Sequence, residues 1–103
     1  MSQPQLTRWT EKKLPSEAAL LEQFSREGLK PYSWSNGPGD IYQPHSHSYH
    51  KVLYCLRGSI IFRVLPEGTD YELRAGDRLD LPPRTEHAAI VGREGVTCLE
   101  ATR

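Results

Sequence analysis

The sequence predicts an all-β domain, an antiparallel sandwich or barrel with one short helix at its N-terminal end. Three observations carry that expectation. Short apolar runs recur from Tyr32 to Ala101, each bounded by Gly, Pro, Asn or Asp. A helical apolar period occurs once, before residue 30. A chain of 103 residues with 37% hydrophobic content suffices for one core and is too small for two.

Residues 1–30 read as an arm and a helix, and residues 31–103 as the barrel, together one structural domain. Disorder is expected only over about the first ten residues. The stretch Pro15 to Gly28 carries helix punctuation: Ser16 to cap the start, Gly28 to end it in the left-handed conformation, and Leu20, Leu21 and Phe24 as one apolar stripe. Glu22 and Arg26 add an i,i+4 ion pair on the wet side. Strands are then expected at Tyr32 to Trp34, Lys51 to Leu56, Ser59 to Leu65, Tyr71 to Leu73, Arg78 to Leu81, Glu86 to Val91 and Val96 to Ala101. There is no internal repeat and no low-complexity tract.

Thirteen basic and thirteen acidic side chains cancel, so no long-range field draws the chain to nucleic acid or to an anionic membrane. The N-terminus lacks an apolar signal core, and no apolar run approaches the roughly 20 residues that span a bilayer. A cytoplasmic location is therefore expected. Cys55 and Cys98 lack CxxC spacing and read as buried free thiols.

Three of the four histidines fall within six residues, in His45-Ser46-His47-Ser48-Tyr49-His50. On a strand, His45 and His47 share a face with Cα atoms about 7 Å apart. Two imidazoles so placed can converge on one ion at about 2.1 Å. The same alternation puts Tyr49, Lys51, Leu53 and Cys55 inward, and His50, Val52, Tyr54 and Leu56 outward. His87 opens another strand after the rigid Pro82-Pro83 turn and offers a third ligand from across the barrel. An HxH pair alone is a weak signal, because exposed histidines are common in loops; its setting gives it weight.

That setting resembles the cupin superfamily over about the last two thirds of the chain. The first cupin motif runs glycine, five residues, His-x-His, three or four residues, glutamate, six residues, glycine. Here it is matched by Gly39, Asp40 to Pro44, His45 and His47, Ser48 to His50, then Lys51 in the glutamate position and Gly58. The second motif is matched by Gly76, Pro82 and His87, while Arg84 stands where the pattern has glycine and Val91 where it has asparagine. The resemblance implies a small antiparallel jelly-roll barrel with a ligand pocket in its mouth. It also implies a divalent metal ion, Zn, Fe, Mn or Ni, held by His45, His47 and His87, with the motif's carboxylate lost.

Lys51 leaves three readings open. An ammonium close to a dication is repelled by several kcal/mol even at an effective dielectric near 20, so Lys51 is no ligand while protonated. Either three neutral imidazoles hold the metal and Lys51 leans toward the pocket mouth, or a bulge turns His50 inward as a fourth ligand, or the site is metal-free and Lys51 with Arg84 receives an anion. Tyr49, Lys51, Cys55 and Arg84 are the expected lining residues. Each has a plainer role open to it: Tyr49 in packing, Cys55 as core filler, Arg84 as an exposed turn residue.

Val52, Tyr54 and Leu56 make the outward face of their strand as apolar as the inward one. Such a strand must be covered on both sides, by the lone helix or by a second subunit. The resemblance favours a homodimer, with the Trp9 arm extending a partner's sheet. In function, the leading expectation is a metal-binding barrel that binds or converts a small organic molecule. If it is an enzyme, an oxygenase or an isomerase is expected, and the alternative is a non-catalytic sensor of an anionic metabolite.

Overall fold

The structure is a computed structural model that describes residues 3–103. Along the chain run β1 (Gln5–Thr7), α1 (Glu17–Arg26), β2 (Tyr32–Asn36), β3 (Ile41–His45), β4 (Lys51–Val64), β5 (Thr69–Arg74), β6 (Arg78–Leu81) and β7 (His87–Thr102). The strands build an antiparallel jelly roll whose two layers share β4 and β7. One layer has the order β1-β6-β4-β7-β2; in the other, β5 pairs β4 and β3 pairs β7.

The long strands serve both layers because each turns a corner. Lys51 to Tyr54 pair with β6 and Ser59 to Val64 with β5, with register shifts between Cys55 and Arg57 and between Gly58 and Ile60. Gly58 (φ 78°) and Gly95 (φ 78°) meet at this corner, where any side chain on Gly58 would strike the Gly95 carbonyl. The glycine between the two expected runs of β4 is thus a bend within one strand, a common use of bulges and glycines. The same holds for β7.

Between the layers lies the main core: Leu53, Cys55, Ile60, Phe62, Leu73, Leu79, Leu81, Val91, Val96 and Cys98, among others. A second core forms outside the sheet, where Leu20 and Phe24 of α1 cover Val52, Tyr54, Leu56, Leu99 and Ala101. Ser16 caps α1 by accepting the Ala19 amide at 3.1 Å, and Gly28 past its end has φ 72°. Arg78 of β6 clamps the helix end through Glu27, at 2.5 and 2.9 Å.

The apolar outer face of β4 is met by α1 of the same chain, one of the two covers expected for it. One expectation changes here. The arm pairs with its own β6, Gln5 opposite Asp80 and Thr7 opposite Arg78, instead of extending a partner's sheet. Trp9 then packs on Gly76 while its amide donates to Asp77 at 2.9 Å. Of the ten residues expected to be disordered, Met1 and Ser2 lie outside the described residues, and Gln5 to Thr7 form a strand. Among the described residues, no helix is long and apolar enough to cross a membrane.

Candidate metal centre

The mouth of the barrel collects the histidines through the register of β3 on β7. Tyr42 pairs with Ala89, the register shifts, and His45 then faces His87. His47 lies two residues past the end of β3, in a bend held by the Arg84 amide, which donates to the His47 carbonyl at 2.6 Å. Arg84 has φ 61°, which explains the glycine of the motif at this position: the turn needs a left-handed residue whose amide faces the loop.

One ligand nitrogen from each of His45, His47 and His87 lies within 4.8 Å of the others. The rings of His45 and His87 have centroids 4.4 Å apart, and His47 stacks on Tyr49 at 4.9 Å. Nδ1 of His45 sits 2.7 Å from the Gln43 carbonyl, and Nδ1 of His87 sits 2.8 Å from that of Thr85. Those carbonyls fix the tautomer, with Nδ1 donating and Nε2 left as acceptor. Nε2 of His47 and of His87 are buried and have no hydrogen-bond partner.

Burial holds the His87 imidazole near a pKa of about 4, below the ordinary value of 6.5, with neighbouring His45 and Lys51 adding to the effect. Burial also lowers His47, followed by Lys51. Both rings are neutral at pH 7 and present lone pairs. The imidazole nitrogens of His45, His47 and His87 converge into a donor set that fits a divalent transition metal.

This predicts a pH dependence for the metal-free protein. The unfolded chain binds these protons below about pH 6.5 and the folded chain resists them, so stability is complete above pH 6.5 and falls toward pH 4. Glu27, lowered to about 2 chiefly by its hydrogen bond from Arg78, adds its own loss only below about 4.5. Urea unfolding midpoints at pH 7.5 and 5 should therefore differ, with the lower midpoint at pH 5; equal midpoints contradict the burial of the ring nitrogens.

Lys51 does point inward. Its side chain is 10% exposed, and its Nζ lies 3.5 Å from Oε2 of Glu100. Glu100, also buried, accepts from Tyr32 Oη at 2.8 Å on Oε2 and from Trp34 Nε1 at 2.9 Å on Oε1. Burial, then the bond to Glu100, raises the Tyr32 hydroxyl pKa. A cavity of about 270 Å³ is lined by Tyr32, Trp34, Tyr42, Tyr49, Phe62, Ala89, the three histidines, Lys51 and Glu100.

Glu100 is the functional residue that the sequence reading missed. A lone carboxylate in the apolar run Val96 to Ala101 signals a buried partner, and an inward lysine demands one.

The other expected residues lie elsewhere. His50 does not turn inward: its Nε2 meets Asp80 Oδ1 at 3.2 Å on the outer face, beside Tyr54 and Arg78. No bulge reverses its parity. Cys55 is a core residue below the pocket, opposite Cys98, and does not line the cavity. The Cys98 thiol pKa is raised, first by its hydrogen bond with Cys55 and then by burial. Arg84 is exposed and contributes its main chain rather than its guanidinium.

A two-layered antiparallel jelly roll with three histidines converging at its mouth defines a cupin-type barrel. Residues 34–99 match the Cupin domain family, and the chain belongs to it. It is 37% identical over 60 residues to the dimethylsulfoniopropionate lyase DddW of Ruegeria pomeroyi, a match covering 58% of this chain. The matched part spans 38% of that relative's length. An RmlC-like cupin from Shewanella frigidimarina superposes with a TM-score of 0.62 at 24% identity, over 72% of this chain and 64% of that one. A DUF861 family protein from Thermotoga maritima superposes over 98% of this chain and 100% of its own, with a TM-score of 0.65 at 15% identity. These last two likenesses are of fold.

Proposed function

We propose that this protein is a metal-dependent cupin in which His45, His47 and His87 hold one divalent ion and the adjoining cavity binds or converts a small organic molecule. The observation that carries the reading is the pair of buried, unpartnered Nε2 atoms on His47 and His87. Each such nitrogen costs on the order of 1–3 kcal/mol if left unsatisfied, and the arrangement is stable in its own terms once an ion takes all three lone pairs. When bound, the ion supplies Lewis acidity to an oxygen of the ligand. The chain orients that ligand: the tyrosines and Trp34 exclude water, and Lys51 and Glu100 set the charge. Zn, Fe and Ni suit imidazole donors, while Mn favours oxygen donors.

The metal-free anion sensor is less well supported. It needs Lys51 and Arg84 together in the pocket, and Arg84 is exposed outside it. A lyase reading joins the oxygenase and isomerase expectations because of the Ruegeria relative's name.

The test is elemental analysis of protein purified without a histidine tag or chelator, followed by an assay of dimethylsulfoniopropionate consumption by the loaded protein. About one ion per chain is expected. Only trace metal after incubation with each of the four ions would refute the metal-dependent reading; metal without turnover would leave binding of another small molecule as the function.

A further inference from the structure

We infer that Lys51 is the anion receptor of this pocket and that the ligand is a small carboxylate held by its Nζ beside the histidine cluster, an inference that rests on the metal-binding reading above.

Glu100 is already occupied by other donors. Both of its oxygens already accept short hydrogen bonds, from Trp34 at 2.9 Å and from Tyr32 at 2.8 Å, whereas Lys51 Nζ stands off at 3.5 Å. That separation exceeds the usual 2.7–3.2 Å of a hydrogen bond by roughly 0.3 Å or more. Glu100 therefore neutralises the ammonium without engaging its three donors. A side chain nine-tenths buried, with unused donors aimed into a cavity, calls for an acceptor there.

The charge count gives the acceptor's sign. Three neutral imidazoles contribute nothing, and Lys51 and Glu100 cancel, so the protein offsets none of a dication's charge. With a glutamate at position 51, two carboxylates would have offset all of it. The ligand must then bring the negative charge itself, and a carboxylate can give one oxygen to Lys51 while its other faces the histidines. Size points the same way. A cavity of about 270 Å³ equals about nine waters at roughly 30 Å³ each, just under the range of about 300 Å³ upward for drug-sized ligands. Its aromatic walls, Tyr32, Trp34, Tyr42 and Phe62, suit a short organic tail.

The experiment uses cobalt(II)-loaded protein, propionate as probe and propionamide as its neutral counterpart, followed by the cobalt visible spectrum and by calorimetry. Wild type should bind propionate at least about tenfold more tightly than propionamide, the effect of one charge-assisted hydrogen bond. Lys51→Met should keep cobalt and lose at least about tenfold in propionate affinity. Because that variant leaves Glu100 buried and unpaired, the double variant Lys51→Met with Glu100→Gln is measured beside it and should show the same loss. If either folded variant binds propionate as tightly as wild type, or wild type does not prefer the anion, the inference is overturned while metal binding stands. If wild type takes up no cobalt, the metal reading fails and this inference falls with it.

Discussion

His47→Ala should lose its metal. Removing a partner outside the ligand set already costs a metal site about 10–100-fold, and His47 is one of three nitrogens within 4.8 Å. Its removal leaves His45 and His87, a pair that competes poorly with water, so affinity should fall by more than about a hundredfold. Folding should survive, because His47 is only half-buried and its structural bond is made by its carbonyl, which accepts from the Arg84 amide. His50→Ala supplies the comparison. Its ring meets Asp80 on the outer face, so the variant should keep full metal content by elemental analysis. Full retention in His47→Ala, or matching losses in both variants, would mean that the ligand set is misassigned.

What made this site legible in the sequence was locality. His45 and His47 are two apart, the strand alternation from Tyr49 to Leu56 holds, and inward Lys51 with outward His50 follow from it. The helix was legible for the same reason, since Ser16, the stripe through Phe24 and Gly28 are all local signals. What escaped was decided at a distance. The pairing of Lys51 with Glu100 depends on how β7 lies on β4, where Leu53 faces Glu100. No window of sequence holds both residues. β1 was missed because a three-residue polar strand has no pattern of its own and is fixed by the free edge of β6. Arg84 read as a possible pocket cation because its side chain attracts attention, yet the turn uses its backbone. The outer face of β4 was read correctly as needing cover, and the choice between helix and partner lay in the packing of Leu20 and Phe24.

Gly58→Ala should destabilise the fold far more than a second glycine change under the same backbone constraint. Gly58 has φ 78°, and a Cβ there would lie 1.9 Å from the Gly95 carbonyl oxygen, a main-chain atom that cannot swing away. The register shifts on either side of Gly58 already use the local slack of β4. Left-handed strain of about 1–2 kcal/mol adds to an overpacking cost of about 1–3 kcal/mol, so a total loss of about 2–5 kcal/mol is expected. That is a large part of the 5–15 kcal/mol typical of a domain. Gly28→Ala isolates the first component: its φ is 72° and nothing lies within 4 Å of the added methyl, so it should cost about 1–2 kcal/mol. The corner also carries the site, because Lys51 and Phe62 line the cavity from opposite sides of Gly58 on one strand. Metal affinity should therefore fall in Gly58→Ala and hold in Gly28→Ala, as read by urea unfolding and cobalt titration on the same samples. Equal costs in the two variants would show that the close approach of the strands at Gly95 does not hold the corner.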